Sequence, residues 1–223
     1  LGDIYTKPVQ WGGLTTFGSN VIKECNKLGI LIDLTHCNND TINAALKVST
    51  KPLVISHTGL DTQLGQNGNM AKMMMPRLIR KEQAKIVAEA GGMIGVWTHL
   101  SDSPLEYAQN IRALVDIVGV DHVCIGTDTK MTPSYRSVDN SAPKPEQNNS
   151  DNRKTGQPPN INNGKNNGRV GERTNESWRD QTVGFYYAVV DALLQTGFNE
   201  DEIGKIGGGN FCRIFDEATK GHQ

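Results

Sequence analysis

The sequence predicts an α/β protein on a parallel sheet, a portion of a (β/α)8 TIM-like barrel with about four strand–helix units and a long Asn-rich insertion. Two observations carry that reading. Four short apolar runs, Ile30 to Thr35, Leu53 to Ile55, Met93 to Thr98 and Val123 to Thr127, alternate with segments of helical spacing. These runs lead into His36, His57, His99 and Asp128, so every strand exits into a potentially catalytic side chain. A doubly wound sheet also fits the alternation, but it concentrates its chemistry at one switch point, whereas a barrel gathers it from several strand ends. A complete barrel has eight strands in about 250 residues. Four strands are legible here, so half a barrel is expected to be missing.

Taken in order, residues 1–16 carry Gly, Pro and Thr without periodicity and read as an opening loop. Phe17, Val21, Ile22, Cys25 and Leu28 recur at three- and four-residue steps, a helix closed by Gly29. After the first strand, Asn39 or Asp40 caps a helix through Val48, and Pro52 returns the chain to a strand. Thr58 to Asn69 reads as a long polar loop followed by a Met-rich turn, Met73 to Met75. Leu78 to Ala90 reads as a basic-faced helix ended by Gly91 and Gly92. Ser103 caps the next helix with Pro104 in its first turn, and Tyr107, Ala108, Ile111, Leu114, Val115 and Val118 form its apolar stripe. From 131 to 177 the chain turns to Asn, Gly, Pro, Lys and Ser, a composition that buries too little apolar surface to order itself; a mobile insertion is expected there. Val183 to Leu194 restores a helical stripe. A last helix, roughly Asn210 to Ala218, follows a segment read as a loop, GGGN at Gly207 to Asn210.

Composition bounds the function. The 223 residues, 36% hydrophobic, suffice for one sizeable core, so a single domain over 1–223 is expected, interrupted by the insertion. A formal net charge of −1 disfavours nucleic acid or another polyanion as partner. Cys25, Cys37, Cys124 and Cys212 form no C-x-x-C pair and suggest buried thiols rather than a zinc knuckle or disulfide framework. No apolar run approaches the roughly 20 residues that cross a bilayer, and no signal peptide opens the chain. The chain begins at Leu1, so its compartment stays open.

His36 and His57 stand 21 residues apart, room for a helix and a strand between them. In a parallel arrangement both imidazoles emerge at the same carboxyl-end rim, where two neutral rings suit a borderline cation such as Zn²⁺. Asp33 is either an acceptor behind that site or a packed strand-end polar group. Asp128, in CIGTDT, is either a turn-forming residue or a proton-transferring carboxylate beside the metal. His99 is a candidate by position, although WTHLSDSP also reads as a strand exit toward the Ser103 cap. Arg77 and Arg80 follow the long loop and are candidates to clamp a substrate carboxylate. Gly207 to Gly209 follows no strand and lacks the Lys-Ser/Thr of a phosphate loop.

These motifs resemble the membrane (renal-type) dipeptidases, the M19 metallopeptidases. The resemblance rests on GLTTFG at Gly13 to Gly18, NKLGILIDLTH at Asn26 to His36, PLVISHT at Pro52 to Thr58, GGMIGV at Gly91 to Val96, GVDHVCIGTD at Gly119 to Asp128, and the closing GFNEDEIGKIGGGNFCRIF. It implies the C-terminal half of a (β/α)8 barrel that hydrolyses dipeptides with two zinc ions per complete site. By the same resemblance His36 and His57 ligate zinc, Asp128 is the catalytic acid/base, and Arg77, with Arg80 as fallback, binds the substrate carboxylate. The family's His-x-Asp ligands, bridging glutamate and a substrate-binding histidine lie upstream of the position matching Leu1, so this chain carries a partial site. Two alternatives accompany the dipeptidase reading: another metal-dependent amidohydrolase or lactonase on the same barrel, and an inactive, truncated half-barrel that pairs with a second copy as a homodimer or with a missing partner segment.

Overall fold

Four parallel strands lie side by side in sequence order, β1 (Ile32–Asp33), β2 (Leu53–Thr58), β3 (Met93–Val96) and β4 (Val123–Ile125). The computed structural model describes residues 1–128, 178 and 183–221; the insertion expected over 131–177 lies outside them. In-register pairs such as Ile32 with Leu53, Ile55 with Ile94 and Ile94 with Val123 step across the sheet. Parallel neighbours require crossovers, and helices supply them. This is the expected α/β architecture.

The helices begin where local chemistry starts them. Thr15 accepts from Gly18 N–H to open α1 (Thr16–Leu28), and Gly29, at φ 64°, closes it. Asn38, one residue before the expected caps, opens α2 (Asn39–Val48) by accepting from Thr41 N–H. Ser103 opens α5 (Pro104–Val118) through Glu106 N–H. Helices α2 and α5, with α4 (Lys81–Glu89) and α6 (Phe185–Gln195), pack on one face of the sheet. Leu53, Ile55, Ile94 and Val123 meet Ala45, Val87, Ile111, Leu114 and Leu193 in that layer. On the other side Val54, Met93 and Cys124 pack with Ile214 of α8 (Asn210–Thr219).

Three expectations need correction. The Met-rich stretch is a short helix, α3 (Gly68–Met74), because Asn67 accepts from both Asn69 and Met70 N–H; a 3-10 turn, Met75–Arg77, follows. Helix α4 starts at Lys81, not Leu78, and runs to Glu89. Ile79 is buried instead and bridges to Leu60 in parallel, its N–H donating to Gly59 O, which keeps the preceding residues extended. The segment before the GGGN run is also helical: α7 (Glu200–Gly204) is opened by a reciprocal Asn199–Glu202 capping box. It continues through a wide turn, Lys205–Gly209, into α8. There Asn210 Nδ2 donates to Val120 O and Val123 O, so this end of the chain is tied to the start of β4.

Candidate active site

The rim chemistry is set by how β1 and β2 terminate. Leu34 N–H still donates to Val54 O, but Thr35 N–H turns back onto Asp33 Oδ1 at 2.9 Å and leaves the ladder. His36 then takes a left-handed backbone, φ 71°. Asp128, after β4, does the same at φ 54°, and these are the two non-glycine residues with positive φ among the described residues. A left-handed turn is uncommon for such side chains and often marks a functional site. On β2 the register shifts between Ile55 and Thr58. The irregularity brings the Ser56 carbonyl within 2.0 Å of where a Cβ would stand on either Gly95 or Gly126, so the neighbouring strands need glycine there for His57 to be set at the rim.

Four of the expected residues converge. His36 Nε2 and His57 Nε2 lie 3.3 Å apart with their rings edge to face. Asp128 Oδ1 is 3.5 Å from His57 Nε2, and His99 Nε2 donates to Asp128 Oδ2 at 2.9 Å. His99 thus answers both of its sequence readings: it hydrogen-bonds Asp128, and four residues later Ser103 caps α5. Arg77 is half-buried in the concavity that His36, His57, Leu34 and Ile55 line, its Nη1 braced on Met73 O at 2.7 Å. Arg80 is exposed beside the start of α4. Asp33 stands behind the pair and accepts from Thr35 and Ser56.

Electrostatics follow from this crowding. Burial alone would raise the Asp128 carboxyl, but the His99 hydrogen bond and the nearby imidazoles hold it below its ordinary value. Asp33 is likewise lowered, with hydrogen bonds from Ser56 and Thr35 outweighing burial. Burial pushes the His57 imidazole down, against the pull of Asp128, and so favours its neutral form. A neutral ring offers a lone pair to a cation.

Three residues of this cluster were not among the sequence candidates. The Tyr5 hydroxyl meets His36 Nδ1 at 2.5 Å, and burial keeps that phenol protonated by raising it to about 12. It comes from the stretch read as a loop, which is organised by Asp3: its carboxylate accepts the N–H groups of Gln10, Trp11 and Gly13. Trp97 stacks beside His57, and its buried Nε1 has no partner among the described residues. Ser56 Oγ lies 2.9 Å from His57 Nδ1. A hydroxyl residue immediately before each histidine was the available signal for Ser56; the Tyr5 contact spans 31 positions and had none.

The chemistry of the pair fits a metal. Two imidazole nitrogens on one tetrahedral Zn²⁺, with Zn–N of about 2.0–2.1 Å, stand roughly 3.3–3.4 Å apart, and the observed separation is 3.3 Å. Both outer ring nitrogens are held by oxygen partners, the usual support of metal-ligating histidines. Among the described residues no group of three or more His, Cys, Asp or Glu side chains is arranged to hold an ion, so a cation between the two imidazoles would need further ligands from elsewhere.

Residues 2–138 match the family model for membrane dipeptidase, peptidase family M19. An uncharacterized protein from the pqqA 5′ region of Klebsiella pneumoniae is 30% identical over 138 residues, 57% of this chain and 48% of that protein. Among solved structures, an amidohydrolase from Pseudomonas aeruginosa superposes with TM-score 0.64 at 22% identity, over 93% of this chain and 58% of that one. Dipeptidase AC, a metallopeptidase of family M19, gives 0.62 at 19%, over 92% and 49%. A metallopeptidase from Rhodobacter sphaeroides, bound to a phosphinate mimic of L-Ala-D-Ala, gives 0.55 at 18%, over 92% and 47%. The chain spans about half the length of the relatives it matches.

Proposed function

Because the chain belongs to the membrane dipeptidase family, peptidase family M19, we propose that it forms part of a zinc-dependent dipeptidase site in which His36 and His57 hold metal, Asp128 moves the proton and Arg77 binds the substrate carboxylate. The observation that carries this reading is the convergence of His36 Nε2, His57 Nε2 and Asp128 Oδ1 within 3.5 Å contacts at one rim. When bound, zinc supplies Lewis-acid activation of water and of the scissile carbonyl.

The protein's own residues supply the rest. Asp128 is held ionised at neutral pH, and His99 occupies its Oδ2. Oδ1, facing the imidazole pair, is the oxygen that takes a proton from the attacking water and returns it to the leaving amine. Arg77, fixed by Met73 O, presents a planar cation suited to a free carboxylate and orients a short substrate, which has such a group one residue from the scissile bond.

In the complete barrel, two zinc ions per subunit are expected, with dipeptide hydrolysis that ceases on chelation and returns with metal. Asp128→Asn is expected to lower kcat by about 10²–10⁴-fold at unchanged zinc content. Full activity in a metal-free preparation, or lactone turnover in place of dipeptide turnover, would overturn the assignment.

A further inference from the structure

The hydrogen bonds behind the imidazole pair run in one direction. Asp33, ionised, can only accept: Oδ1 takes Thr35 N–H, Thr35 Oγ1–H and a share of Ser56 N–H, whose shorter bond is to Thr35 Oγ1, and Oδ2 takes the Ser56 hydroxyl at 2.5 Å. Ser56 has a single hydroxyl hydrogen, now committed to Asp33. Its Oγ must therefore accept at the 2.9 Å contact with His57 Nδ1, which places the ring hydrogen on Nδ1 and the lone pair of neutral His57 on Nε2. That lone pair faces His36 Nε2 at 3.3 Å. Two unshared pairs at that distance repel, and Asp128 Oδ1, 3.5 Å from the same His57 Nε2, adds a further acceptor, so without a cation between them His36 carries its hydrogen on Nε2, and its Nδ1 accepts from the Tyr5 hydroxyl. Every donor points the same way, from Tyr5 through His36, His57 and Ser56 to Asp33.

We propose that Asp33 and Ser56 are positioning residues that lock His57 in its Nδ1–H tautomer, ready to ligate, while Tyr5 is a reversible partner that lets His36 change tautomer when a cation binds. For both Nε2 atoms to face one ion, His36 must lose its Nε2 hydrogen and gain one on Nδ1. The ring stays neutral, and Tyr5 reverses from donor to acceptor at that contact. A phenol can do either, whereas a carboxylate cannot, so one ligand is set in advance and the other switches. The inference rests on the metal-site reading above and deepens it.

Long-range ¹H–¹⁵N spectra of the ¹⁵N-histidine-labelled chain, before and after addition of zinc alone, read both tautomers. Without metal, His57 is expected as Nδ1–H and His36 as Nε2–H; with zinc, His36 moves to Nδ1–H and His57 does not change. Asp33→Asn is near-isosteric but reverses the relay. Its remaining oxygen satisfies the two backbone N–H groups, its new amide donates to Ser56, Ser56 donates to His57, and His57 becomes Nε2–H. Zinc affinity then falls about 10–100-fold. Ser56→Ala releases His57 to a mixture of tautomers and Ser56→Thr restores the single form, a pattern that a packing role alone would not produce. His57 found as Nε2–H in the unmodified chain, or ring nitrogens that ignore both substitutions while the sheet amides stay in place, overturns the lock. No change at His36 in millimolar zinc overturns the Tyr5 half. Expected tautomers in a complete barrel that does not hydrolyse dipeptides would support the relay and overturn the dipeptidase reading instead.

Discussion

Asp128 has each carboxylate oxygen near a different histidine, and the two contacts have separable consequences. The His99 bond lowers its pKa, so His99→Leu should let the Asp128 carboxyl rise toward or past its ordinary value of 3.8, while His99→Gln, which keeps a donor, should not. A ¹³C-carboxyl titration of Asp128 checks this, and an unmoved midpoint in His99→Leu would count against the bond. Asp3 yields a pH prediction of fixed sign. Burial pushes its carboxyl up, but backbone hydrogen bonds from Gln10, Gly13 and Trp11 outweigh that and leave it below 3.8. The folded value is depressed, so its stabilisation is complete above the ordinary value and is lost as pH falls through the lower folded one. Acidification through that window should free the segment that carries Tyr5, seen as faster amide exchange at Gln10, Trp11 and Gly13.

At the level of elements, the β2 irregularity depends on its neighbours. A methyl on Gly95 would stand 2.0 Å from Ser56 O, a clash with backbone that no side-chain rotation relieves. Gly95→Ala should cost about 1–3 kcal/mol or more in urea unfolding and should displace His57 from His36. Helix α3 has only seven residues and one strong cap, Asn67. Asn67→Ala should loosen it by about 1 kcal/mol, and limited proteolysis between Thr58 and Met75 reads that directly. This helix was hidden in the sequence because Gly, Asn and consecutive methionines show no apolar periodicity. The start of α4 was misplaced because Leu78 and Ile79 look helical in spacing, yet a parallel bridge to Leu60 captures Ile79.

On the scale of the whole molecule, the described strands form an open sheet, β1 to β4, with no further strand beside either. Trp11, Phe17, Leu28, Ile30, Tyr186 and Tyr187 are exposed. An open parallel sheet with apolar side chains left in water favours association. Sedimentation velocity at micromolar concentration should show self-association of this chain, and a strict monomer would argue against the homodimer expectation. As the proposed ligands, two imidazoles alone would hold a cation weakly. Chelator competition should therefore find zinc held much more weakly by this chain than by a complete barrel of the family.

Periodicity, caps and strand-end residue types were enough to determine the α/β class, four parallel strands and the candidate set His36, His57, His99 and Asp128. These are local signals, written within a few residues of one another. Only the tertiary structure decided that Arg77 rather than Arg80 lines the concavity, that Asp33 reaches His57 through Ser56, and that Tyr5 backs His36. Each of these depends on a left-handed turn, a strand irregularity or a contact across 20 or more positions, and hydrogen-bond direction has no trace in residue order. What makes the two histidines a pair is the 3.3 Å between their nitrogens, a distance set by two strands and the glycines beside them.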